Sequence, residues 1–304
     1  MTFNTNPRDF SCEGDPDIAD KHTWKTFTPK VALEYHLNDD ALVYASWTRG
    51  SRSGGFNYRV SDGELGLDRP SFFDDEMVDA YEIGIKSDWL DNRLRINAAA
   101  YYNDFTDLQR SIFLTQTDDE GNVTGLTQQF NNVDAAATWG FELEVVGVLA
   151  EDAFTGGDNL TAEFSLGLIN SKYKVDFIDF NGDGGNDIDL PFEQQPRHTI
   201  FAALTYFQPV GNGGALTYRV SYAHTPAFYS GGENLWDINR HLERGLLDAS
   251  LRYEAEGGEW YVTVYGKNLT NEHYYQTRTP FSPAFGLAQP AKGATWGAEI
   301  GFDF

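Results

Sequence analysis

The sequence predicts an all-β fold of about eleven antiparallel, up-and-down strands, and three observations predict it. Apolar and polar residues alternate with a period of two in one segment after another, which only a strand produces, because successive side chains of a strand point to opposite faces. Short turns and long polar stretches take turns in joining those segments. The face opposite the apolar one carries charged residues in strand after strand, so it faces neither a dry core nor hydrocarbon.

Residues 1–22 are polar, acidic and aperiodic, and read as a loop or tail. From 23 onward the chain reads as one β-unit reaching 304. Alternation begins near Lys25, with Val31, Leu33, Tyr35 and Leu37 set against Lys30, Ala32, Glu34 and His36. Asn38-Asp39-Asp40 is turn chemistry, since these side chains bond their own backbone. The return strand spans 41–50 and leads into a long Gly/Ser/Asp-rich stretch, 51–72. Tyr81, Ile83, Ile85 and Trp89 mark the next strand, closed by Leu90-Asp91-Asn92. Leu94, Ile96, Ala98, Ala100 and Tyr102 follow in a strand running towards Thr117, with a polar excursion at 118–126.

Trp139, Phe141, Leu143 and Val145 resume the pattern; after a turn at 150–159 come Leu160, Ala162, Phe164, Leu166 and Leu168. A heavily acidic loop occupies 176–192. Ile200, Ala202, Leu204 and Tyr206 are followed by a Gly-rich turn at 208–214 and by Leu216, Tyr218, Val220 and Tyr222. A loop at 230–243 precedes Leu247, Ala249, Leu251 and Tyr253, and Glu256-Gly257-Gly258 turns the chain into Trp260, Val262 and Val264. After a fifth long stretch, 276–291, the final run TWGAEIGFDF puts Trp296, Ala298, Ile300, Phe302 and Phe304 on one face, with Glu299 and Asp303 on the other.

Composition narrows the function classes. With 46 acidic against 22 basic residues, a net charge of -24 repels phosphate backbones, so nucleic acid is not an expected partner. The single cysteine, Cys12, makes an internal disulfide impossible and suggests a partner upstream. No secretory leader opens the sequence and no window is apolar enough for a spanning helix, so the chain reads either as cytosolic or as part of an exported protein whose beginning is absent. No GxSxG, HExxH or CxxC pattern occurs, so no catalytic residues are assigned and an enzyme is not expected.

A soluble sandwich also alternates. The charged inner face and the short-long rhythm of connections favour instead an outer-membrane barrel, with an apolar outer band, a polar lumen, short turns at one rim and long loops at the other. Tyr35, Trp89, Tyr102, Trp139, Tyr206, Tyr253, Trp260 and Trp296, near strand ends, fit interfacial girdles. An odd strand count would need a parallel seam to close, and single-chain bacterial barrels have even counts, so further strands are expected upstream.

Several segments match a known pattern in order: YASWTRGSRSGGFN (Tyr44 to Asn57), VDAYEIGIKSDWLDNRLRINAAAYYNDFTDLQ (Val78 to Gln109), WGFELEV (Trp139 to Val145), PRHT (Pro196 to Thr199), KNLTNEHYY (Lys267 to Tyr275) and the terminal aromatic. Together they make the chain resemble the carboxy-terminal half of the barrel of TonB-dependent outer-membrane receptors. The resemblance implies a 22-stranded barrel filled by an amino-terminal plug, of which the plug and half the barrel are absent here. It also implies location in the bacterial outer membrane among lipid and lipopolysaccharide. Through the missing plug it implies coupling to the inner-membrane TonB energy complex, for uptake of a scarce siderophore, vitamin or oligosaccharide. The other class to weigh is a secreted, soluble β-rich module binding calcium and glycan; an ungated channel would need a closed, even barrel from this chain alone.

Two loop regions are the candidate sites. In the stretch near 224–241, His224, Phe228, Tyr229, Trp236, Arg240 and His241 combine aromatic faces with cationic groups able to meet an anionic or ring-bearing ligand. In the acidic loop, Asp179, Asn181 and Asp183 followed by Gly184 reproduce the opening of a calcium loop, with Asp187 and Asp189 as further oxygen ligands, although the twelfth position is Leu190 where that loop has Glu. Calcium is the one possible cofactor. Arg93, Arg95, Glu142, Glu144, Glu163, Arg219 and Arg252 are expected to face inward and to pair across strands.

Overall fold

The computed structural model describes residues 21–57, 72–117, 123–180, 185–211, 213–231, 237–282 and 285–302. Eleven strands form one sheet: β1 (Lys30–Asn38), β2 (Ala41–Arg52), β3 (Glu76–Trp89), β4 (Leu94–Thr117), β5 (Val123–Glu151), β6 (Asn159–Tyr173), β7 (His198–Val210), β8 (Gly214–Thr225), β9 (Arg244–Glu254), β10 (Trp260–Lys267) and β11 (Thr295–Phe302). Their order across the sheet is their order in the chain, and every pairing is antiparallel. The meander predicted from alternation is therefore the meander found. Among the described residues β1 pairs only with β2 and β11 only with β10, so the sheet they form is an open wall with both edges running in the same direction.

The pairing register fixes what each face carries. Val31 lies opposite Trp47, Trp47 opposite Tyr81, Tyr81 opposite Tyr102, and Tyr102 opposite Trp139, so one aromatic row crosses four strands on one face and ends on Val31 of the fifth. Toward the short turns the same face presents Ile83, Phe164, Leu204, Val264 and Ile300, all exposed. Trp89, Tyr218 and Phe302 complete it near the turns, with Tyr253 tilted against Trp260 at 5.3 Å. From Tyr81 to Trp89 is roughly 27 Å along the strand at ~3.4 Å per residue, or roughly 20 Å once tilted by ~40°. That span is comparable with the ~25 Å apolar band of a membrane barrel. An exposed apolar area of this extent has no place in water.

The other face is polar and close-fitting. Tyrosines lie across glycines of the neighbouring strand: Tyr44 over Gly84, Tyr101 over Gly140, Tyr265 over Gly297 and Tyr261 over Gly301. A Cβ at Gly84 would sit 2.5 Å from the Tyr44 ring, so the glycine is required by the ring that covers it.

Short turns close the lower rim. Leu90, Asp91 and Asn92 all take positive φ, and Gly257 and Gly258 do so between β9 and β10. The longer turn between β5 and β6 is organised by Asp158, whose carboxylate accepts from the backbone N–H of Phe154 and Thr155 and from the Tyr206 hydroxyl. Those backbone donors, the one from Thr155 foremost, hold the Asp158 carboxyl below the usual range.

Five expectations are corrected here. The first strand starts at Lys30, not near Lys25; Trp24 instead sits beside His22 and Phe56. The strand read from Trp139 begins at Val123, because β4 and β5 continue as a hairpin beyond the membrane, where no apolar face is needed and alternation fades. Arg93 is not on the inner wall but in the turn, 3.3 Å from Glu151. The acidic loop is not merely solvated: Phe180, with Ile178, Ile188, Leu190 and Phe192, packs on Leu108, Val133, Ala136 and Tyr173 in the one buried apolar cluster among the described residues. The long loops also carry two-stranded ribbons, Gly55–Phe56 with Phe72–Phe73, Phe228–Tyr229 with Arg240–His241, and Tyr275–Ser282 with Phe285–Pro290. Cys12 and residues 303–304 lie outside the described residues.

Candidate functional site

At the long-loop rim, above β8 to β11, aromatic and basic side chains gather. The ribbon pairing Phe228 with His241 and Tyr229 with Arg240 is closed by a 3-10 turn at Asp237–Asn239, where the Asn239 carbonyl accepts from the Ser230 N–H at 2.8 Å and its hydroxyl at 3.1 Å. The Phe228 and His241 rings stack at 4.5 Å and 4°. Arg244, the first residue of β9, places its guanidinium 5.9 Å from the Phe228 ring and 5.0 Å from Tyr274. Arg278 lies 4.4 Å from the Tyr275 ring and donates to the Arg240 carbonyl at 2.6 Å, joining the two ribbons. The acidic loop is tied to the same platform through the Gln194 N–H and the Tyr229 carbonyl, 2.7 Å apart.

The electrostatics are opposite in sign to the chain as a whole. Two guanidiniums, those of Arg244 and Arg278, meet here in a chain of net charge -24, and Arg240 stands beside them on the ribbon. Among the described residues neither Arg240 nor Arg244 makes an ion pair. His241 is 6% exposed. Its imidazole is held below the usual range by burial first, with the positive charges of Arg244 and Arg278 adding to the effect. A cation resting on aromatic faces, as Arg244 does without an ion pair among the described residues, suits an anion that brings rings or flat ligating groups.

Of the residues singled out from sequence, Phe228, Tyr229, Arg240 and His241 come together. His224 does not: it is on the outward face of β8, stacked on His198 at 5.3 Å. Trp236 lies outside the described residues. Arg244, Tyr274, Tyr275 and Arg278 were missed. Arg244 reads as an ordinary strand start, and only the excess of basic residues beside aromatics in the loops of an acidic chain could have flagged the others.

Of the calcium candidates, Asn181 and Asp183 lie outside the described residues. The Asp187 carboxylate accepts from the Phe180 N–H at 2.8 Å, while Asp179 and Asp189 line separate cavities. Among the described residues no three His, Cys, Asp or Glu are grouped to hold an ion.

The polar wall below bears out the predicted cross-strand pairing for Arg95, Glu163 and Arg219 but not for Arg252, whose partner lies on its own strand, nor for Glu142 and Glu144, which make no ion pair among the described residues. Arg95 meets Asp88, its partner in register, at 2.8 Å. Arg219 reaches across β7 to Glu163 with two hydrogen bonds of 2.6 and 2.9 Å, passing the buried Ala203. Arg252 bonds Glu254 and covers the Tyr261 ring at 3.6 Å, and the Tyr261 hydroxyl donates to Glu299 at 2.6 Å. Glu144 accepts from Asn97 at 3.1 Å, while Glu142 makes no ion pair among the described residues.

An apolar outer band, a paired polar inner wall and loops built up at one rim define the wall of an outer-membrane β-barrel of the transport type. The family model for the TonB dependent receptor-like β-barrel matches residues 2–271, and the chain belongs to that family. Solved structures agree in fold. The ferric yersiniabactin uptake receptor FyuA from Yersinia pestis superposes with a TM-score of 0.67 at 22% identity, over 90% of this chain and 37% of that one. The copper transporter OprC gives 0.64 at 17%, over 90% and 39%. BauA, the ferric preacinetobactin receptor from Acinetobacter baumannii, gives 0.61 at 19%, over 91% and 36%. The chain thus spans little more than a third of the length of these receptors.

Proposed function

We propose that this chain is the carboxy-terminal half of the barrel of an outer-membrane receptor that takes up a scarce, anionic metal chelate of the siderophore class. The observation that carries the reading is the register-aligned apolar face, which needs lipid, backed by a wall of paired charges, which needs water or protein. The platform of Arg244, Phe228, His241, Tyr274 and Arg278 at the rim is where such a chelate would first be held, and the names of the similar receptors, two of them ferric-siderophore receptors, point to the same class.

On this reading the polar wall packs against a plug, with Glu142 and Glu144 meeting its cations, and the plug passes energy from the TonB complex. Vitamin or oligosaccharide ligands fit less well, since a neutral ligand has no use for Arg240 and Arg244, which make no ion pair among the described residues. The test is uptake by cells displaying the receptor, using a panel of ferric chelates of different charge. Arg244→Ala should weaken binding of an anionic chelate roughly tenfold, the value of one charged hydrogen bond of about 1.5 kcal/mol. Unchanged affinity at equal surface display, or equal binding of neutral and anionic chelates, would refute the assignment.

A further inference from the structure

β10 ends at Lys267, and the chain returns to the sheet at Thr295. The excursion between them carries Tyr274, Tyr275 and Arg278, which complete the rim platform, and most of it is the ribbon of Tyr275–Ser282 with Phe285–Pro290. At its base is a turn in which Asn268 and Asn271 both take positive φ, 51° and 53°, a conformation that asparagine tolerates better than most residues with a Cβ. The turn is fastened to β9, the strand that opens with Arg244. The Asn268 N–H donates to the Asp248 carboxylate at 2.7 Å, and the Leu269 N–H to the Leu247 carbonyl at 2.8 Å.

One side chain then closes both feet of the excursion. The Asn268 amide is buried, 6% exposed. Its oxygen accepts from the Glu272 N–H at 2.8 Å, and its nitrogen donates to the Glu272 carbonyl at 2.9 Å and to the Lys292 carbonyl at 3.4 Å. Further along, the Ala291 N–H meets the Tyr274 carbonyl at 2.9 Å, and the Asn271 side-chain oxygen accepts from the Ala294 N–H at 2.9 Å. An amide supplies the acceptor and the two donors that this set requires, whereas a carboxylate would face two carbonyl oxygens. A glycine would keep the positive φ and remove the clasp. The ladders of β10 with β9 and β11 lie below the turn and use none of these bonds. Asn268 therefore governs where the ribbon stands relative to Arg244, not whether the strands pair.

We propose that Asn268 is the positioning residue of the rim platform: without touching the ligand, it holds the ribbon so that Tyr274 and Arg278 stand beside Arg244. The proposal rests on the reading of the platform as a ligand site, and one arm of its test needs no ligand. In the full receptor carrying this chain, in outer membranes and with native cysteines replaced by Ser, spin labels at the exposed Val264 of β10 and Leu287 of the ribbon report the distance between wall and ribbon. The wild type should give one narrow distribution. Asn268→Gly should broaden it, while Asn271→Asp, which retains the oxygen that the Ala294 N–H uses, should leave it narrow. In the second arm, at equal surface display, Asn268→Gly should weaken binding of the anionic ferric chelate that the wild type binds most tightly by about tenfold, the loss of one charged contact. A distribution that stays narrow in Asn268→Gly overturns the proposal, and so does a broadened one with unchanged affinity. Where the glycine variant does not fold, hydrogen exchange of the wild type decides. The Glu272 amide should exchange at least about tenfold more slowly than a free loop amide, and exchange at the free rate overturns the proposal equally. A wild type that binds no ferric chelate overturns the ligand-site reading, and the distances tell that failure from a failure of the clasp.

Discussion

His241 shows how a single residue ties the rim platform to pH. Its ring is buried against Phe228 and faces two guanidiniums, so the folded protein holds it neutral and its pKa lies below the ordinary value of about 6.5. The unfolded or opened loop binds the proton more readily than the packed one. The stabilisation of the ribbon is therefore fully present above the ordinary imidazole value and is lost as pH falls through the folded one. Hydrogen exchange of the amides at 238–241 should speed up on acidification beyond the intrinsic pH effect, and His241→Gln should remove that excess. An excess that persists in the variant would place the titrating group elsewhere.

At the scale of the element, the tyrosine-on-glycine contacts make register visible as geometry. Gly140 on β5 lies under the Tyr101 ring of β4, and an added Cβ would stand 2.1 Å from the Leu168 carbonyl oxygen and 2.5 Å from the Tyr101 hydroxyl. Gly140→Ala should cost about 1–3 kcal/mol, the usual penalty of overpacking, read as a lower denaturant midpoint of the refolded barrel. An unchanged midpoint would contradict the close fit, since it would require both the Tyr101 ring and the Leu168 carbonyl to give way without cost.

The strands were legible in the sequence wherever one face met lipid, because hydrocarbon on one side and water on the other enforce a period of two. Leu160 to Leu168 and Trp296 to Phe302 are such runs. Above the membrane that constraint lapses, so the start of β5 at Val123 and the ribbon of Phe228 with His241 carry no periodic signal. The packed acidic loop was hidden for another reason: Ile178, Phe180, Ile188, Leu190 and Phe192 are scattered among carboxylates, and only long-range contact with β4 and β5 turns them into a core. The site was half legible. Its aromatic and basic residues stand out in one loop, but Arg244 and Arg278 arrive from elsewhere in the chain, and the stacking of His224 on His198 depends on strand parity across a turn.

For the whole molecule, the two faces of the sheet divide the work. The apolar face accounts for the membrane, the paired charges of the other face account for a filled or wetted lumen, and the rim gathers the cations that an acidic chain otherwise lacks. The open edges at β1 and β11 follow from the same plan: in hydrocarbon every unpaired strand N–H and C=O costs on the order of several kcal/mol, so this wall needs partner strands on both sides. The most direct test is a spin-label scan of β6 from Leu160 to Tyr173 in outer membranes, one position at a time, with Cys12 and any other native cysteine of the receptor replaced by Ser so that only the introduced cysteine is labelled. Labels at Leu160, Ala162, Phe164, Leu166 and Leu168 should collide with membrane-dissolved oxygen, and those at Thr161, Glu163, Ser165 and Gly167 should not. The oxygen-accessible row should give way to a water-soluble relaxer at Asn170 and Lys172. Accessibility without a period of two, or oxygen contact on the Glu163 face, would contradict the account.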